Sequence, residues 1–292
     1  MAPVTEPDTT KRDRNSTVDD HQARLTGLPR RGHMTVMVRG RPVRIAVSEN
    51  EHTGGELVLL LHGLGCAREC WDPVYTGDNH RRWLAIDLPG HGASARVDTG
   101  GDALAFYADL VTALVEQLDP GAVHLVAHSM GAAVALLAAP GLPVGALVSL
   151  EGNLVGEDCS LISRSIAGQT REAFVQIGFA QLRDGLCASG DPDERIWGAW
   201  FERADPGGLW EAARSLVSWC ESGGLTSRWM ELRHRTYLWG ERSGFPMHLR
   251  LWLAEARVHE IPIVGHFAMN GNPIALAHAI RIAIDSAGTG TI

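Results

Sequence analysis

Four stretches of this chain are built on consecutive apolar residues rather than on alternation: ELVLLLHG (56–63), RRWLAIDLPG (81–90), AVHLVAHS (122–129) and VGALVSLEG (144–152). A strand wetted on one face alternates, whereas one covered on both faces does not. Helical patterns separate these runs. Asp102 is placed to cap a segment in which Tyr107, Leu110, Val111, Leu114, Val115 and Leu118 recur at helical spacing, and Asp119-Pro120-Gly121 ends it. MGAAVALLAA (130–139) forms a second helix, stopped by Pro140-Gly141. Buried strands alternating with helices predict the α/β class: a mostly parallel sheet wrapped on both faces by helices.

Upstream, HMTVMVRG and RPVRIAVS read as a hairpin turning at Gly40 and Arg41. The alternation then breaks over residues 154–234, where no strand pattern occurs and stretches such as REAFVQIGFAQLRDG and GLWEAARSLVSWCESGG are helical. RTYLWGE (235–241) and ARVHEIPIVG (256–265) resume the strand pattern, and NPIALAHAIRIAIDSAG closes as a helix with Pro273 in its first turn. The expected plan is a core of residues 32–153 and 235–292, a helical cap (154–234) inserted after the sixth strand, and a disordered tail over 1–31. That tail mixes charges of both signs and holds few residues that pack.

At 292 residues, with 45% hydrophobic and 21% charged, the composition is that of a globular protein. The formal net charge of −8, without a Lys/Arg cluster, argues against a nucleic-acid partner. The first residues contain no apolar signal core and the chain has no membrane-length run, so neither secretion nor a membrane is expected. Five scattered cysteines, none spaced Cys-x-x-Cys, read as structural thiols in a reducing cytoplasm. No motif for a metal, flavin or nucleotide is present, so no cofactor is expected, and nothing specifies an oligomeric state.

The run AVHLVAHS ends in Ala127-His128-Ser129-Met130-Gly131 and turns directly into a helix. That matches a nucleophile elbow in position, with alanine where a first glycine is usual; small residues are expected to flank the serine because strand and helix approach closely in such a turn. The turn places Ser129 at a helix N-terminus, where free N–H groups favour developing negative charge, and the Met130 N–H would serve an oxyanion hole.

Further motifs follow in order. His62-Gly63-Leu64-Gly65 succeeds the third strand, DLPGHGAS (87–94) the fourth, AHSMG the fifth, and GHFAMNGNP (265–273) precedes the last helix. With these the chain resembles the α/β-hydrolase family, in its capped, serine-nucleophile branch, over roughly residues 33–288. The resemblance implies that the Leu64 N–H completes the oxyanion hole, and that the chain order serine, acid, histidine places the base at His266. His128 reads as a structural residue beneath the elbow, His62 and His91 as backbone-positioning residues, and His259 as part of a strand.

A serine hydroxyl needs a base, and the base a partner to orient it. Many relatives carry an aspartate after the seventh strand, but here that place reads WGERSG, with Ser243. Glu151, at the end of VSLEGN, stands at the carboxyl edge of the sixth strand and is the first candidate. Glu241, Glu157, Asp158 or no acid at all are the alternatives. Five of nine tryptophans (Trp197, Trp200, Trp210, Trp219, Trp229) fall in the cap. Trp197 and Trp200 are the candidates to face an apolar small-molecule substrate. The expected activity is hydrolysis of an ester, thioester or related carbonyl through an acyl-enzyme. The alternatives are a lyase, cyclase or acyltransferase on the same scaffold, or an inactive binding protein.

Overall fold

The computed structural model describes residues 29–288 except 53, 54, 77 and 79. Eight strands form one sheet: β1 (Arg30–Val38), β2 (Arg41–Glu49), β3 (Leu57–Leu61), β4 (Arg82–Ile86), β5 (Val123–His128), β6 (Val144–Leu150), β7 (Arg235–Gly240) and β8 (Arg257–Ile261). Their order is β1-β2-β4-β3-β5-β6-β7-β8. The β1–β2 and β2–β4 pairs are antiparallel and all others parallel. Every residue of β3 and β5 is buried, which is why their sequences do not alternate.

Two boundaries differ from expectation. The tail expected over 1–31 falls mainly on residues 1–28, outside the described ones, but Arg30 and Arg31 already pair with Glu49 and Ser48 in the sheet. The hairpin turns at Arg39 and Gly40, not Gly40 and Arg41. Both turn residues take positive φ (49° and 74°), the two-residue geometry that matches the twist of the flanking strands.

Helix α1 (Ala103–Leu118) starts where the Asp102 carboxylate accepts the Ala105 N–H at 3.1 Å, and it ends at Asp119, which takes φ 47°. Helix α2 (Met130–Ala138) leaves β5 directly. Between β6 and β7 the longer helices are α3 (Phe179–Cys187), α4 (Pro192–Phe201), α5 (Pro206–Glu221) and α6 (Gly224–Glu231); no strand occurs there among the described residues. Helix α7 (Pro273–Gly288) closes the described chain.

The helical insertion is tied to loops leaving the carboxyl ends of β3 and β4. Trp197 Nε1–H donates to the Leu64 carbonyl at 3.0 Å, and the Asp205 N–H to that of Gly90 at 2.8 Å. Arg203 grips Glu69 through both guanidinium nitrogens, at 3.2 and 2.8 Å. Burial opposes ionisation of Glu69, yet these Arg203 contacts and the charge of Arg68 bring its carboxyl down to about 2. No helix among the described residues is long and apolar enough to cross a membrane.

Candidate active site

Ser129 sits between β5 and α2 with φ 51° and ψ −122°, a strained backbone for a residue with a side chain. Hydrogen bonds from Ser129 N to the Leu150 carbonyl (3.0 Å) and from Asn153 N to the Ser129 carbonyl (3.4 Å) hold it there. Small neighbours make the turn possible. A Cβ on Gly131 would lie 2.6 Å from the Leu61 carbonyl oxygen and 2.8 Å from that of His62. Gly131→Ala is therefore expected to cost at least about 1–3 kcal/mol by overpacking against backbone, read as a lowered unfolding midpoint in denaturant. An unchanged midpoint would contradict the close approach. Ala127 is fully buried in register with Leu61, so the alanine fills the place of the usual glycine without exposure.

His62 fixes the loop beside the elbow. Burial lowers its pKa to about 4, so the ring is neutral. The Leu88 N–H donates to Nε2 at 3.0 Å, which assigns the proton to Nδ1 and makes it the donor to the Gly63 carbonyl at 2.8 Å. Leu64 follows on this turn, buried and on the cleft wall. His91 is likewise neutral, lowered to about 3 by burial, with the Pro89 carbonyl 3.3 Å from its Nδ1.

The histidine next to the serine is also structural. Burial holds His128 well below the ordinary imidazole range, and its Nε2–H donates to the main-chain carbonyl of His266 at 3.0 Å. The two rings lie 4.6 Å apart. The neutral His128 therefore pins the backbone of the loop that carries His266.

Glu151 leaves the end of β6 with φ 48°. Its N–H continues the ladder to the Leu238 carbonyl at 2.9 Å. One carboxylate oxygen accepts the Gly240 N–H at 2.8 Å and the other stands 3.5 Å from His266 Nδ1. Burial favours the protonated acid, but His266, the Gly240 N–H and the Ser243 hydroxyl outweigh it and hold the Glu151 carboxyl below its ordinary value. Ser243, where an aspartate was looked for, thus backs the glutamate. A Cβ on Gly240 would come within 2.4 Å of the Gly265 carbonyl oxygen, so bare backbone there lets β7 and the His266 loop approach.

The other carboxylates are engaged elsewhere. Glu241 accepts the Ile263 N–H at 2.7 Å, and Glu157 is exposed. Asp158 accepts the Leu154 and Val155 N–H groups at 2.8 and 2.9 Å and meets His248 Nε2 at 2.6 Å.

Ser129 and His266 line one cleft with Leu64, Asn153, Asp158, Leu161, Ile162, Trp197 and Phe267. Its volume is about 20 Å³, room for roughly one water. Met130 begins α2 immediately behind Ser129, fully buried. Trp197 is 4% exposed and packs 5.2 Å from the Phe267 ring. Trp200 is half-buried against the core and is not part of the cleft wall. Of the cap tryptophans only Trp197 is among the residues lining the cleft: Trp210 and Trp219 line a separate groove, and Trp229 is fully buried with its Nε1–H donating to the Trp252 carbonyl. A larger groove of about 320 Å³, between the start of α1 and α5, shares no residue with this cleft.

Asn153 is the residue that sequence reasoning missed. Among the described residues the Ser129 hydroxyl donates to Asn153 Oδ1, at 3.2 Å, and not to His266. The only signal was its place two residues beyond Glu151. Chemically, a hydroxyl at a helix N-terminus, an imidazole and an ionised carboxylate together form the set used for nucleophilic attack on carbonyls.

Comparison with known proteins bears on the family and the fold. Residues 58–279 match the Alpha/beta hydrolase family. An esterase of Mycobacterium tuberculosis is 35% identical over 100 residues, covering 34% of this chain and 30% of that protein. The (E)-2-((N-methylformamido)methylene)succinate hydrolase of Acinetobacter baylyi is 32% identical over 85 residues, 29% of this chain and 32% of that protein. The chain thus spans about a third of the length of these curated relatives. Among solved structures, a thermophilic esterase from Thermogutta terrifontis superposes with a TM-score of 0.70 at 19% identity, over 88% of this chain and all of that one.

Proposed function

The chain belongs to the alpha/beta hydrolase family, and from that premise we propose that this enzyme is a serine hydrolase that cleaves an ester, thioester or related carbonyl bond through an acyl-enzyme. The observation that carries the reading is that Ser129, strained at its turn, and His266 line one cleft, with the Glu151 carboxylate 3.5 Å from His266 Nδ1. Ser129 Oγ attacks the carbonyl carbon while His266 takes its proton. Glu151 holds the imidazolium, and the N–H groups of Leu64 and Met130 receive the oxyanion. His266 then protonates the leaving group, and water, deprotonated by the same ring, releases the acid.

The helical insertion between β6 and β7 supplies Leu161, Ile162 and Trp197 to the cleft, and with Leu64 and Phe267 these favour an apolar, uncharged acyl group. Among the described residues no Lys or Arg lines the cleft, while Asp158 does. A dianionic substrate such as the methylenesuccinate in the Acinetobacter enzyme's name has no counter-charge here. The test treats the purified protein with a fluorophosphonate probe, maps the adduct by mass spectrometry, and assays neutral esters beside succinate half-esters. The expected result is an adduct on Ser129 and faster turnover of the neutral series. A folded protein that takes no label and hydrolyses neither series overturns the reading.

A further inference from the structure

The Ser129 hydroxyl has one proton to donate, and in this structure Asn153 holds it. The orientation of that amide is set by its other end: Nδ2–H donates to the Asp158 carbonyl at 2.8 Å and toward Cys159 Sγ at 4.0 Å, which turns Oδ1 to the serine. The partners of Nδ2 belong to the turn Gly156–Ser160, anchored by the Asp158 carboxylate on the Leu154 and Val155 N–H groups. Asn153 itself is 3% exposed, so bulk solvent has little access to the bond.

We propose that Asn153 is a positioning residue that keeps the Ser129 hydroxyl away from His266 until displacement of the Gly156–Ser160 turn releases it. The inference rests on Ser129 being the nucleophile. The same turn and the residues after it, Asp158, Leu161, Ile162 and Ser163, form one wall of a cleft of about 20 Å³. In this proposal a carbonyl compound that reaches Ser129 displaces this wall, and doing so moves the groups that orient the Asn153 amide. Arrival of substrate and transfer of the serine's hydrogen bond to His266 are thereby one event, and the unoccupied enzyme keeps its serine in reserve.

The test compares wild type with Asn153→Leu, which fills a similar volume without an acceptor, and with Asn153→Ser, too short to reach Ser129. The rate of Ser129 phosphonylation by a small fluorophosphonate is measured, with kcat and KM on one neutral ester. Loss of one ordinary hydrogen bond corresponds to about two- to tenfold. Asn153→Leu is expected to label about two- to tenfold faster, with kcat raised and KM little changed. A purely structural role would slow it. Asn153→Ser carries the Leu expectation should the Leu protein fail to fold. A folded Leu or Ser variant no faster than wild type overturns the proposal alone. Absence of labelling in wild type overturns it together with the function on which it rests.

Discussion

Ser129→Ala is expected to lower kcat by about five to six orders of magnitude while leaving the fold in place, the scale seen when a hydrolase loses its nucleophile but keeps its binding site and oxyanion donors. The backbone strain at φ 51° is already carried by the native residue, so alanine adds little to it. What is lost in stability is the hydroxyl's bond to Asn153, about 1 kcal/mol. Steady-state hydrolysis of a neutral ester, beside a thermal unfolding curve, checks both parts. A folded variant retaining a substantial fraction of wild-type kcat would remove Ser129 from the mechanism.

The second large effect is expected at Glu151. Glu151→Gln retains an oxygen to accept the Gly240 N–H but abolishes the charge facing His266 Nδ1. With an amide there, the imidazolium formed during attack loses its counter-charge and the resting ring its fixed tautomer, and kcat should fall by about 10⁴-fold. The sign of the pH effect follows from the depressed carboxyl. Its stabilising contribution is present above the ordinary value of 4.5 and is lost as pH falls through the lower folded value. The Gln protein should accordingly lose less stability than wild type across that acid window, measured by denaturant midpoints at neutral and acid pH. Glu241→Gln is the control, because that carboxylate serves the Ile263 N–H on an exposed loop. An unchanged rate in Glu151→Gln, with a damaged Glu241→Gln, would move the acid to β7.

How much of this was readable beforehand depends on whether the physics is local. The central strands were legible because burial on both faces leaves an unbroken apolar run, as in β3 and β5. The elbow was legible because its small residues answer a steric demand that shows up at Gly131. The nearness of Glu151 to His266 followed from its place at the end of a parallel strand, and Ser243, read as a loss, lies where its hydroxyl lowers the pKa of that glutamate. The first hairpin was misplaced by one residue because Arg39, a poor residue for positive φ by local rules, takes it in answer to the pairing around it. Asn153 was not legible, since its amide is oriented by groups in an irregular turn that no periodicity marks. Composition could not sort the tryptophans, because it counts rings without saying that Trp197 reaches the cleft while Trp210 and Trp219 line another groove and Trp229 is fully buried.

A chamber that admits a single solvent molecule turns selectivity into a question of mechanical compliance. If esters are the substrates, they will be sorted by the work of parting Leu161 and Ile162 from Trp197 and Phe267, more than by fit to a waiting mould. Turnover of bulky compounds should then rise more steeply on warming than that of compact ones, and screening libraries against the rigid shape would select the smallest molecules irrespective of their chemistry.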